Sequence, residues 1–130
     1  MWRMKDKYDL TKSEEEIMGL LWEKEQKMSS KEILDYFNEN CDKDWKKQTL
    51  NTFLAKLLQA GFIERISRDR KYLYAPLVTR KEYKQKGAER FIRESYSGSF
   101  INFVSALSGG EMISRKEAEE IRKLLEENRL

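Results

Sequence analysis

Apolar residues recur at three- and four-residue spacing along most of the chain, the pattern of a helix with one buried face. The first predicted helix covers about Lys12 to Lys24, and the second follows Ser29 or Ser30. The third starts near Asp44, taken as its N-cap, and ends at Gly61, a suitable C′ residue. Three further helices are expected at about 80–96, 100–107 and 115–129.

A helix-capping pattern, Ser or Thr followed three residues later by Glu, stands before four of these segments. In this box the hydroxyl accepts from a free backbone N–H of the first turn, and the Glu carboxylate accepts from the N–H of the cap residue. The four pairs are Thr11 and Glu14, Ser29 and Glu32, Thr79 and Glu82, and Ser114 and Glu117.

The pattern changes after the third helix. Phe62–Ile66 and Tyr72–Ala75 are β-branched or aromatic runs, and a charged loop, Ser67–Lys71, separates them. They predict two antiparallel strands, the second limited by Pro76. Three helices followed by a hairpin form a winged helix-turn-helix. The predicted fold is therefore mainly α with a small β-hairpin, with a winged-helix DNA-binding domain over 1–78 and a helical dimerisation domain over 79–130.

The last third of the chain holds more apolar side chains than so short a segment can bury alone. A second copy of the chain is the simplest partner. The alternative is that these helices fold back on the first domain. The predicted dimerisation residues are Phe100, Ile101, Phe103, Val104, Leu107, Ile121, Leu124 and Leu125.

Composition narrows the possible functions. Charged residues make up 38% of the chain, and no apolar run reaches the roughly 18 residues of a membrane span. Met1–Lys7 lacks the apolar core of a signal peptide, and the single cysteine, Cys41, fits a reducing cytoplasm. Because there is no histidine and only one cysteine, a structural zinc site and His-dependent catalysis are excluded. We expect neither an enzyme nor a cofactor.

Charge is concentrated in the middle of the chain. Residues 43–74 carry eight basic and three acidic side chains, whereas the whole chain has a net charge of +3. Such a region is either a polyanion-binding surface or a solvated face. In a winged helix the third helix enters the major groove, where short amides and hydroxyls read bases and cations contact phosphates. The predicted DNA-binding residues are Lys46, Lys47, Gln48, Thr49, Asn51, Thr52, Lys56, Arg68, Arg70 and Lys71. Trp45, Tyr72 and Tyr74 are assigned to packing.

Several motifs together resemble the BlaI/MecI/CopY repressors. They are the run Leu10–Trp22, Asp44-Trp45, Gly61-Phe62-Ile63, Tyr72–Val78 and Phe100–Val104. The resemblance extends over about residues 8–128. The chain departs from the family in the third helix, where Lys46, Lys47 and Gln48 replace the residues usual in the family. We therefore expect its operator to differ from that of the β-lactamase genes.

The resemblance implies a cytoplasmic, dimeric repressor of the kind that blocks β-lactam resistance genes. It also implies release by a membrane-bound sensor metalloprotease, which would cut at the bond between Asn102 and Phe103. Cys41 is the only cysteine, so the copper-responsive branch is not favoured. Two other hypotheses remain: a regulator that binds a small ligand between the wing and the C-terminal helices, and a protein-interaction module without DNA binding.

Overall fold

The computed structural model describes residues 6–128, and it confirms a mainly helical winged-helix fold with a small sheet. The elements are α1 (Lys12–Lys24), β1 (Met28–Ser29), α2 (Ser30–Asn40), α3 (Lys47–Gln59), β2 (Ile63–Arg68), β3 (Lys71–Pro76), α4 (Arg80–Ser95), α5 (Phe100–Leu107) and α6 (Arg115–Asn128). Residues 1–5, which belong to the segment predicted not to be a signal peptide, and residue 129, the predicted end of the last helix, lie outside the described residues.

The sheet has three antiparallel strands in the order β1-β3-β2, so the prediction of two strands was incomplete. β1 was missed because it is only two residues long and lies directly before α2. The predicted five-residue loop was wrong as well. β2 continues to Arg68 and β3 begins at Lys71, and these two residues pair with each other. Only Asp69 and Arg70 form the turn.

The capping boxes form as predicted at the starts of α1 and α2, where both reciprocal hydrogen bonds are present. At α4 only half of the box forms. The Glu82 N–H donates to Thr79 Oγ1 at 3.0 Å, but the Glu82 carboxylate accepts from the Tyr8 hydroxyl at 3.0 Å. A contact distant in sequence thus replaces the local one.

The start of α3 differs from the prediction. Lys46, not Asp44, is its N-cap, because the Asn38 side chain of α2 holds the preceding loop by bonding both the N–H and the C=O of Trp45. The Trp45 ring packs on Phe37 with ring centroids 4.7 Å apart, which confirms its packing role. The end of α3 agrees with the prediction, since Gly61 adopts a left-handed φ of 78°.

The hydrophobic core lies between α1, α2, α3 and the sheet. Its fully buried large side chains are Ile17, Met18, Leu21, Ile33, Leu50, Leu54, Leu57, Phe62 and Ile63. This core fixes one face of α3 inward and leaves the opposite face to solvent.

Contacts divide the chain into a first unit that ends at Lys86 and a second unit that begins at Gly87. The sequence placed a domain boundary eight residues earlier, after Val78. The start of α4 belongs with the first unit because its side chains bond there. The Tyr83 hydroxyl donates to the Glu15 carboxylate at 2.7 Å, and the Glu82 carboxylate accepts from the Tyr8 hydroxyl at 3.0 Å.

The second unit contains the end of α4, then α5 and α6. None of its described side chains is fully buried. An aromatic cluster of Phe91, Tyr96, Phe100 and Phe103 holds α4 and α5 together, with centroid distances of 5.4–6.1 Å. Within residues 6–128, no helix is both long and apolar enough to cross a membrane.

Candidate nucleic-acid interface

The two faces of α3 differ sharply in chemistry. Leu50, Leu54 and Leu57 point into the core and are buried. The outward residues are Gln48, Asn51, Thr52, Ala55 and Gln59, and all of them are exposed. This outer face, the reading face, has short polar side chains and little charge. It therefore offers hydrogen-bonding groups that can approach another surface closely.

Cations surround the reading face. Lys46 and Lys47 are exposed at the start of α3, and Lys56 is exposed near its end. The α3 N-terminus has no side-chain cap and no acidic residue in its first turn. Its free N–H groups and the positive end of the helix dipole thus add to the lysine charges. This arrangement weakens an isolated helix but favours an anion such as a phosphate.

The predicted α3 residues do not all present the same groups. Thr49 is only half exposed, so it lies at the side of the reading face. The Thr52 hydroxyl donates to the Gln48 carbonyl at 3.0 Å, so Thr52 presents a methyl group and acceptor lone pairs. Gln48 and Asn51 are exposed amides, able to donate and accept together.

The hairpin places three further predicted cations at its tip. Arg68 and Lys71 are paired across the strands, and Arg70 lies in the turn between them. Asp69 and Arg70 both have positive φ, 49° and 67°, as in the type I′ turn that suits a two-residue hairpin. All three cations are exposed.

An open groove of about 570 Å³ runs between α3 and the hairpin. Asn51 and Ala55 line it from α3, and Arg65, Lys71 and Tyr72 line it from the hairpin. The end of β1 contributes Ser29, and the start of α2 contributes Ser30 and Lys31. The groove is thus bounded by the reading face on one side and by the wing on the other.

Arg65 and Tyr72 were missed as site residues. Tyr72 was assigned to strand packing, but it is 51% exposed, and the Arg65 guanidinium lies 4.2 Å from its ring centroid. A prediction of the two-residue turn would have fixed the register of the hairpin, and that register places Arg65 and Tyr72 on the same face of the sheet. The predicted five-residue loop left that register open. Tyr74, in contrast, is buried, in agreement with its packing role.

The predicted cleavage residues lie in the first turn of α5. Asn102 is exposed, and its N–H donates to Ser99 Oγ at 3.1 Å. Phe103 is half-buried in the aromatic cluster, 5.4 Å from the Tyr96 ring. The N–H of the predicted cleavage bond, that of Phe103, donates to the Ser99 carbonyl at 3.2 Å. The bond is therefore at the surface but in helical conformation.

The predicted dimerisation residues all retain exposure in the single chain. Ile101 is 75%, Leu124 56% and Phe100 46% exposed. The remaining five are half-buried: Phe103, Val104, Leu107, Ile121 and Leu125.

Similarity to known proteins extends to both sequence and fold. A family model described as penicillinase repressor matches residues 10–127. The methicillin resistance regulatory protein MecI of Staphylococcus aureus (strain N315) is 30% identical over 118 residues, covering 91% of this chain and 94% of MecI. The penicillinase repressor of Bacillus licheniformis is 22% identical over 126 residues, covering 97% and 96%. The solution structure of the DNA-binding domain of the repressor BlaI covers 62% of this chain and 94% of its own, with a TM-score of 0.51 and 22% identity.

Proposed function

The chain belongs to the penicillinase repressor family of DNA-binding repressors, and from that premise we propose that it acts as a dimer that binds operator DNA through α3 and the β2–β3 hairpin. The reading face of α3 carries this proposal, because exposed amides flanked by lysines suit a major groove bordered by phosphates.

Gln48 and Asn51 read bases in this proposal, and the cations set affinity. Each amide can make paired hydrogen bonds to adenine. Lys46, Lys47 and Lys56, together with the cations of the hairpin tip, contact phosphates. Thr49 and Thr52 contribute hydroxyl acceptors and methyl contacts beside them.

Dimerisation through the second unit is supported by its exposed apolar side chains. Phe100, Ile101 and Leu124 are large apolar side chains that are costly to leave in water, and a second copy of the same chain would cover them. Two chains would place two α3 helices on half-sites roughly 10 base pairs or a multiple apart.

Release of the operator follows from cleavage between Asn102 and Phe103, with a membrane-bound sensor metalloprotease as the partner. The cut separates Phe103, Val104 and all of α6 from the first unit. The first unit keeps its core, so the fragment stays folded but loses most of its dimerisation surface. Loss of the linked second module lowers affinity by a factor of about 10²–10⁴.

The test starts from the full chain and a library of random 30-base-pair duplexes, selected for binding. We expect a pseudo-palindromic footprint and a 2:1 complex. With about four phosphate contacts per chain, log K should fall against log salt with a slope of roughly −7. A footprint of one half-site, or affinity independent of salt, would refute the dimeric repressor and favour an interaction module.

Two variants and one fragment complete the test. Gln48→Ala should reduce the difference in binding free energy between the selected duplex and a random duplex by about 1–3 kcal/mol. Gln26 is a matched exposed glutamine away from α3, and Gln26→Ala should leave that difference unchanged. The fragment 1–102 should sediment as a monomer and bind the selected duplex weakly. A fragment that stays dimeric and binds like the full chain would exclude this bond as the switch.

A further inference from the structure

We propose that the groove between α3 and the hairpin holds one sugar-phosphate strand of the bound duplex, with Arg65, stacked on Tyr72, as a phosphate-binding residue. The inference rests on the proposed DNA binding and adds a phosphate site beyond the lysines of α3 and the hairpin tip. The occupant is a phosphodiester backbone, chosen by the charge and shape of the groove.

The charge of the groove is positive. Lys31, Arg65 and Lys71 line it, and among the described residues no acidic side chain does. Lys31 is ion-paired with Asp35 at 3.0 Å, but the Lys31 side chain is 84% exposed and the Asp35 side chain 46% exposed. Exposed pairs of this kind contribute little free energy, so Lys31 can exchange its partner for a phosphate at small cost.

The shape of the groove fits a chain passing through it. Its volume of about 570 Å³ is open to solvent along the surface, so a continuous strand can enter and leave. On the α3 wall, Ala55 is exposed and small, which leaves room that a longer side chain would occupy. Asn51 borders both the groove and the reading face, so a strand held here lies beside the bases that α3 would read.

Tyr72 prepares Arg65 for this role. The guanidinium lies 4.2 Å from the ring centroid, within the range of a cation–π contact. Stacking covers one face of the guanidinium and leaves its N–H edge available for paired hydrogen bonds to phosphate oxygens. Because Tyr72 is half exposed, it acts here as a positioning residue rather than as part of the core.

The experiment measures the affinity of full-length variants for the selected duplex and for a random duplex of equal length, each over a series of salt concentrations. Arg65→Ala should weaken both complexes roughly tenfold, the size of one charge-assisted hydrogen bond. The salt slope should become less negative by about 0.9 for each phosphate that the variant no longer neutralises. Lys12→Ala, an exposed cation on α1, is the matched control and should change neither quantity.

The affinities of Tyr72 variants test whether the Tyr72 ring positions the Arg65 guanidinium. Tyr72→Phe keeps the ring face and should bind like the parent, whereas Tyr72→Leu should weaken both duplexes about threefold, within the range of an exposed cation–π contact. Tyr72→Leu should have no added effect once Arg65 is alanine, because the ring acts through the guanidinium. Ala55→Glu is an exposed helix substitution that should block the groove and weaken both duplexes without loss of folding.

The outcomes separate the two proposals. If the parent chain binds no duplex, the proposed function fails. If it binds but Arg65→Ala does not weaken it, the groove inference is wrong and the function stands. A loss confined to the selected duplex would make Arg65 a base reader and would overturn the assignment of a phosphate.

Discussion

The turn of the β2–β3 hairpin stores backbone strain at Arg70, which we also propose to contact a DNA phosphate. One substitution at Arg70 should therefore change stability and DNA binding in opposite directions. Arg70 has a φ of 67°, in the left-handed region. A residue with a Cβ there costs about 1–2 kcal/mol relative to glycine. Against this, glycine loses more conformational entropy on folding than other residues, which costs about 0.5–1 kcal/mol of free energy. We therefore expect Arg70→Gly to raise the free energy of unfolding by about 0.5–1 kcal/mol.

For a domain of this size, that gain corresponds to a rise of about 2–8 °C in the melting temperature. Circular dichroism during heating measures it, and binding to the selected duplex is measured in parallel. The same substitution should weaken DNA binding, because it removes one exposed cation. The expected result is thus a more stable protein that binds less well.

Arg70→Ala is the control, because it removes the same charge but keeps a Cβ. It should lose DNA affinity equally and gain no stability. If the glycine and alanine variants unfold at the same temperature, the turn holds no relievable strain at this position. If both bind DNA like the parent, Arg70 contacts no phosphate.

Three further predictions concern other parts of the chain. Asn38→Ala should lower the free energy of unfolding in urea by about 1–3 kcal/mol, because it leaves the N–H and C=O of Trp45 without their side-chain partner. Gly87→Ala in α4 should raise the free energy of unfolding by about 0.5–1 kcal/mol, because an added Cβ there meets no atom within 4 Å. Gly19→Ala in α1 is the matched comparison and should give a similar gain, because its added Cβ is equally free of contacts. The Ser29 backbone N–H, and then its hydroxyl, hold the pKa of Glu32 below its ordinary value. That stabilisation is present above the unfolded pKa of about 4.3 and is lost as pH falls below it. Glu32→Gln should therefore reduce the loss of stability between pH 7 and pH 3.5 in urea unfolding, and an unchanged loss would contradict this.

Local interactions explain why most of the helices were predictable. The capping boxes of α1 and α2 link residues only three positions apart, and the apolar spacing of α3 sets its buried side by itself. The same periodicity placed Gln48 and Asn51 outward, which the structure confirms. Their role on DNA stays a prediction.

Long-range contacts explain the errors. Asn38 holds the Trp45 backbone from a different helix and so delays the start of α3 to Lys47. Tyr8 draws the Glu82 carboxylate away from its capping box across 74 positions of sequence. Neither partner can be chosen from spacing, because many side chains of similar chemistry are available in the chain.

The helices, the reading face of α3, the basic segment 43–74 and the resemblance to the family were all predictable, because these features depend on residues close together in the chain. Long-range packing sets the pairing of β1 with β3, the two-residue turn and its register. It therefore also sets the stack of Arg65 on Tyr72, in the groove that Asn51 lines. A shift of one residue in register would turn Arg65 to the other face of the sheet. The groove therefore exists only once strand pairing and helix packing are fixed together.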